Sequence, residues 1–328
     1  MISTSRTYKI LLSSEQCDKL KYPTLVKHEI EVTGKEILHA IITCGMPVQY
    51  LNKTIESHRI NEIIFKFFVI NSALEEDSGY LVKSDKVKYL ETSERAIIQY
   101  YLGMFITKLI SEKIFHVDYL IHQKTVDSMK LTKVKYETGN SRPDLFGYNV
   151  YKGTWSIWEA KGRTRNINDS LDKAYEQVKQ VKTVNKKKPE LAAANVVYFS
   201  DNKLATKVKD PESEGDIEIN IDLNEALNTY YKPISQLFIN NGYDKYKDYN
   251  YKTHGLLVTN INIFETSFHI GMPELLFNHL VQNENDPQVL KKDILGLHTT
   301  IDIIKSLKEY HKQDNLEMYC GRDLITLF

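Results

Sequence analysis

The sequence predicts an α/β fold whose central strands are covered by helices on both faces. Three observations carry that prediction. Residues 91–113 and 168–183 have helical apolar spacing, two strand-like runs joined at Lys152-Gly153 lie between them, and the apolar run LAAANVVYFS follows at 191–200. A helix, a hairpin, a helix and a buried strand in that order are the ingredients of a layered α/β core. A strand apolar at nearly every position needs cover on both sides.

Each element has its own justification. Residues 1–90 mix strand-like runs (TYKILLS, HEIEV) with helical ones at 36–44 and 60–74, and read as an N-terminal α/β region. The helix at 91–113 has Thr92 or Ser93 as its N-cap. Its apolar face is expected to include Ile97, Tyr101, Met104 or Phe105, and Ile106 or Leu109. A strand, VDYLIHQK, follows, with His116 and His122 flanking it; each reads as a packed or surface histidine or as one approaching the cleft. Residues 145–150 and 154–161 are rich in aromatic and β-branched side chains, which suit strands. The helix at 168–183, capped by Asn168 or Asp169, should bury Leu171, Ala174, Tyr175, Val178 and Val181. DIEINID at 216–222 alternates with a period of two and reads as a loop and an edge strand. The core thus spans 91–230. In the C-terminal region, 231–328, a strand-like run covers 254–268, Asp286-Pro287 opens a long helix, and YCGRDLITLF forms a turn and a closing strand.

Within the core, two short motifs carry chemistry. Arg142-Pro143-Asp144 contains the only Pro-Asp of the 328 residues, and Glu159-Ala160-Lys161 is the only Glu-x-Lys. Side chains of a strand alternate between faces, so Trp155, Ile157, Glu159 and Lys161 share one face and Ser156, Trp158 and Ala160 the other. Folding the hairpin about residues 151–153 sets Asp144 opposite residues 159–161. Polar groups converging in a half-buried sheet are costly unless partnered. A divalent cation between Asp144 and Glu159 supplies a partner. Mg²⁺ prefers oxygen ligands and keeps several waters, so two carboxylates, the Ala160 carbonyl and a substrate phosphate suffice. Such an ion polarises a phosphoryl oxygen and acidifies a bound water. Lys161 is placed to orient that water or to stabilise charge growing on the phosphate.

This constellation resembles the PD-(D/E)xK nuclease superfamily, which includes restriction endonucleases, Holliday-junction resolvases and exonucleases. The resemblance covers the hairpin fully and residues 91–200 loosely. It implies a restriction-endonuclease-like α/β/α core with a mixed central sheet, elaborated at both ends by α/β regions. By the same resemblance Asp144 and Glu159 are metal ligands, Lys161 is the catalytic lysine, and Mn²⁺ can replace Mg²⁺. Many members place a further acid on the helix before the sheet, which Glu94 matches; an acid there also complements the helix dipole. Some relatives carry a glutamine or lysine on the following helix, where Gln177 stands. The glutamine-plus-tyrosine pattern of the RecB-like branch is not reproduced. The implied activity is phosphodiester hydrolysis, with DNA as substrate, by an endonuclease of restriction or antiphage defence. A homodimer or a partner protein of a defence complex fits double-strand cutting. The rival readings are a catalytically silent DNA-binding or scaffold subunit and an RNA-directed nuclease.

Charge supports the reading only regionally. The chain has 43 basic and 43 acidic residues, but residues 91–209 hold 21 Lys and Arg against 13 Asp and Glu. Arg163, Arg165 and Lys173 are the candidate phosphate contacts, while Lys182 and Lys186 to Lys188 read as a solvated loop. The tyrosine- and lysine-rich segment 242–251 suits base stacking or ordinary packing with wet hydroxyls. Three widely spaced cysteines, Cys17, Cys44 and Cys320, support neither a disulfide framework nor a zinc site and predict the reducing cytoplasm. The longest apolar stretch, 60–74, is interrupted by Glu62 and Lys66 and is too short for a membrane span. A Gly-rich phosphate loop and a nucleophile elbow are both missing from the sequence, so ATPase and serine hydrolase chemistry are unsupported.

Overall fold

Apolar and aromatic residues on both faces of the 154–162 strand leave it no side to turn to water, and it lies inside a nine-stranded mixed sheet. A computed structural model of the chain describes residues 2–15, 17, 28–44, 58–129, 133–135, 142–210, 214–246, 255–263, 266–282 and 318–328. In chain order the first elements are β1 (Thr7–Glu15), β2 (His28–Thr33), α1 (Gly34–Thr43), α2 (His58–Ala73), β3 (Leu74–Asp77), β4 (Tyr80–Lys83) and α3 (Thr92–Lys113). The middle of the chain forms β5 (Tyr119–His122), α4 (Gln123–Ser128), β6 (Lys133–Lys135), β7 (Leu145–Asn149), β8 (Thr154–Gly162), α5 (Ile167–Lys179) and β9 (Val181–Val184). Then come β10 (Leu191–Ser200), β11 (Lys203–Lys209), β12 (Ile217–Asn220) and α6 (Leu223–Asn241). The last elements are β13 (Asp244–Lys245), β14 (Leu256–Ile263), β15 (Thr266–Pro273), α7 (Glu274–Gln282), β16 (Tyr319–Cys320) and β17 (Thr326–Leu327).

Across the main sheet, β2, β1, β11, β10, β8, β7 and β5 are successive neighbours, and the β3–β4 hairpin wedges in where β1 and β11 part. β8 runs parallel to β10 and antiparallel to β7. Strands of residues 1–90 therefore extend the same sheet that holds the 145–162 hairpin. Helices cover both faces. Asn195 donates to Thr107 of α3 at 2.7 Å and accepts from Thr206, so these side chains share the α3 face. Lys207 and Lys209, one step along β11 and so on the other face, reach Asn168 and Asp172 of α5. Two smaller sheets, β6-β12-β9 and β13-β14-β15-β17-β16, flank the main one.

Several expectations need correction. α3 starts after Glu91, not at a Thr92 or Ser93 cap. Ile97 is exposed, whereas from Leu102 onward the helix is buried on nearly every side, between the sheet and helices α1 and α2. α5 begins after Asn166, which adopts the left-handed region (φ 53°), and it stops at Lys179. Val181 is buried, but in β9, because residues 181–184 pair with β12. β12 is the middle strand of its small sheet, not an edge. The run at 254–268 divides between the two strands of the β14–β15 hairpin. The long helix expected after Asp286, and residues 247–251 of the 242–251 segment, fall outside the described residues. No helix among the described residues is long and apolar enough to cross a membrane.

Candidate metal centre

The β7–β8 hairpin closes through Gly153, whose φ of +63° suits a residue without Cβ, and through the Gly153 N–H donating to Asn149 O at 2.9 Å. Its register pairs Leu145 with Trp158, so Asp144, one residue before β7, falls opposite Glu159. There the ladder of backbone hydrogen bonds gives way to side chains. The Asp144 N–H donates to Glu159 Oε2 at 3.0 Å, and the Ala160 N–H donates to Asp144 Oδ2 at 3.1 Å. Each carboxylate thus caps the opposite strand. A strand residue points its N–H and C=O to the same neighbour, so the Ala160 carbonyl also faces the Asp144 side. On the other flank Gln123 N–H holds the Asp144 carbonyl at 2.8 Å.

Lys161 completes the group. Its ammonium pairs with Glu159 Oε1 and lies 3.9 Å from Asp144 Oδ2. Glu159 is fully buried, whereas the Asp144 and Lys161 side chains keep 31% and 22% exposure, so the cluster opens to solvent on their side. Burial first, and then the Asp144 charge, pushes the Glu159 carboxyl up to about 8 against the pull of Lys161. Two carboxylates and one ammonium in contact form an electrostatically incomplete site that a second positive charge would satisfy. The donors are hard oxygens, which suit Mg²⁺ better than Zn²⁺. Among the described residues no group of three or more His, Cys, Asp or Glu side chains is arranged to hold a metal ion. Two carboxylates with a backbone carbonyl are nevertheless a sufficient protein share for Mg²⁺, which retains water.

Two glycines set the backbone here. A Cβ on Gly162 would lie 1.9 Å from the Gln99 carbonyl oxygen, and one on Gly103 would lie 2.9 Å from the Gly162 nitrogen. α3 therefore rests directly on the end of β8, on the face opposite Glu159 and Lys161, while α5 covers theirs. Among the other expected residues, Glu94 is exposed, and its carboxylate accepts the Glu91 N–H at 2.8 Å. Gln177 is half-buried on α5 and Lys173 is exposed on the same helix. Arg163 and Arg165 are exposed just beyond β8, with Arg163 also donating to the Gly162 carbonyl at 2.8 Å. Burial keeps the His122 imidazole below its usual value although Asp144 opposes it. His116 lies at the other end of the hairpin, where its carbonyl accepts from Asn149.

The sequence reading missed the aromatic surroundings. Burial first, then Cys44 and Asp144, push the Tyr100 hydroxyl of α3 up to about 12. The Tyr100 and Tyr101 rings meet edge-on at 5.2 Å, and Tyr101 meets Phe65 of α2 at 5.8 Å. The only sequence signal for these contacts is the adjacent pair Tyr100-Tyr101 in the α3 helix. No protein-family model, curated protein or solved structure matches the chain.

Proposed function

We propose that this chain is a Mg²⁺-dependent nuclease with a restriction-endonuclease-like core, and that DNA is its substrate. One observation carries the reading: Asp144 and Glu159 face each other across the hairpin with the Lys161 ammonium against both. A purely structural ion pair needs one carboxylate per lysine. A second, half-exposed carboxylate held against a buried one is a cost that a cation-binding role accounts for.

In this reading Asp144, Glu159 and the Ala160 carbonyl hold the ion. Bound Mg²⁺ supplies Lewis acidity to a phosphoryl oxygen and lowers the pKa of a coordinated water. Lys161, held against Glu159 and Asp144, would present its ammonium to the phosphoryl oxygens as they gain charge. Arg163 and Arg165 leave the same strand and bind phosphates next to the scissile one. Glu159, buried and fixed by two partners, is the rigid half of the pair, and Asp144 is the half that reaches substrate.

Cleavage of plasmid and of single-stranded circular DNA in Mg²⁺, in EDTA and with Asp144→Ala tests the proposal. Cleavage is expected in Mg²⁺ alone, with a loss of about a hundredfold or more in the variant, the scale of removing one preorganised electrostatic group. Metal-dependent cleavage that survives Asp144→Ala contradicts the assignment.

A further inference from the structure

Large apolar side chains at the surface are scattered in most proteins, and a cluster of them calls for an explanation. Four of the exposed large hydrophobic residues belong to one stretch of this fold: Phe65 on α2, Tyr89 just before α3, and Ile97 and Tyr100 on α3. The end of α3 that carries them overshoots the sheet, since residues 91–97 are all exposed while Gln99 and Gly103 sit on Gly162 and Lys161. The aromatic chain Phe65–Tyr101–Tyr100 therefore stands at the catalytic end of β8. Phe65 and Tyr100 remain about half exposed.

We infer that this wall binds the bases of a single-stranded nucleic acid whose backbone passes over Asp144, Glu159 and Lys161. The inference rests on the proposed nuclease reading and adds its substrate class. Charge complementarity selects the occupant. Cations for a phosphate chain lie on one side, at Arg163 and Arg165, and rings for bases lie on the other. A continuous duplex keeps its bases stacked inside and offers aromatic side chains nothing to stack on. Duplex binders compensate with many phosphate contacts. Here the chain carries no net charge, and Arg142 and Lys161 are already paired with Asp127, Glu159 and Asp144. Stacking, supplemented by few phosphate contacts, is the source of affinity that remains. Binding should accordingly depend only weakly on salt.

Fluorescence anisotropy of the full chain in EDTA, which separates binding from cleavage, provides the test. The probes are a labelled 20-nucleotide oligothymidylate, an oligouridylate of the same length and a 20-base-pair duplex. The single strands are expected to bind at least about tenfold more tightly than the duplex. Phe65→Ala and Tyr100→Ala should each weaken single-strand binding roughly tenfold, the scale of one base–aromatic stack, and Tyr100→Phe should restore it. The two single-strand probes separate DNA from RNA. Equal affinity for duplex, no binding of any probe, or single-strand binding unchanged in both alanine variants overturns the inference. Self-association of the chain through these rings, lost in Phe65→Ala, also overturns it. Failure of the nuclease reading looks different: ring-dependent single-strand binding persists, but Mg²⁺ produces no cleavage sensitive to Asp144→Ala.

Discussion

Glu159 illustrates what burial does to a carboxylate. Its folded-state pKa, about 8, lies above the 4.5 of an exposed glutamate, so folding favours the protonated form. The sign follows from linkage. Its contribution to stability is fully present below about 4.5 and is lost as pH rises through 8, with a slope of roughly 1.4 kcal/mol per pH unit inside that window. Glu159→Gln removes the titration. In EDTA the urea midpoint of the parent should fall relative to the variant between pH 5 and 8.5, and parallel curves would refute the burial argument. A metal must displace the proton, so Mg²⁺ should raise the parent midpoint more at pH 8.5 than at pH 6 and leave the variant nearly unmoved. Asp144, Glu159 and Lys161 were legible in the sequence because strand alternation and a tight turn are local rules. Their mutual contacts needed nothing distant. The pairing of Phe65 and Tyr100 through Tyr101 was not legible, since it depends on how α2 and α3 lie against each other.

At the level of elements, the junction of α3 with β8 fixes where the site stands. Gly103 and Gly162 let the two backbones touch, and the Thr107–Asn195–Thr206 hydrogen bonds lock the contact in the core. Gly162→Ala would force a methyl group to within 1.9 Å of the Gln99 carbonyl oxygen. Backbone cannot yield as a side-chain tip does, so α3 must lift. The expected cost is about 1–3 kcal/mol or more, read as a lower urea midpoint, with a loss of nuclease activity beyond what that stability change explains. A variant as stable and active as the parent would mean that α3 does not position the strand. The same packing explains the misread faces. A helix buried on nearly every side beyond Leu102, with Lys108 and Glu112 inside, has no polar stripe from which an inward side could be identified. α5 ends before the expected Thr183 because Val181, which continues the helical spacing of Ala174 and Val178, is drawn with Thr183 and Val184 into pairing with β12.

At the scale of the whole molecule, one buried ionic network ties the chain's far end to its core. The turn at residues 321–325 inserts Asp323 among α1, α3 and α6. Its carboxylate lies 2.8 Å from His39 Nε2 and 3.7 Å from Lys108 Nζ, and accepts from the Tyr230 hydroxyl at 2.5 Å. Glu112 joins from the other side, 3.3 Å from Lys108 and 3.5 Å from His39, and Arg322 reaches Asp118 at 2.8 Å. No sequence pattern announces this network, because its members are scattered from residue 39 to residue 323 and charged residues on helices ordinarily signal solvent. Burial alone would raise the Asp323 carboxyl, but the His39 and Lys108 cations override it and hold it below the usual carboxylate range. Burial alone would lower His39, but Asp323 and Glu112 raise it. The Asp323 contribution is therefore present above about pH 4 and fades as acid reaches its depressed folded value, while the His39 contribution is present below about 6.5 and fades as pH climbs through its raised one. The network should be strongest between those limits. Asp323→Ala leaves two buried cations to share the single Glu112 carboxylate, and removing one partner of a buried ionic network costs about 3–5 kcal/mol. Urea unfolding of this variant at pH 5.5 should show that loss in full, and the deficit should shrink towards pH 9 as His39 gives up its proton. A deficit independent of pH, or one below about 1 kcal/mol at pH 5.5, would mean that the carboxylate acts through its hydrogen bonds to Tyr230 and the Ile325 N–H and not through charge.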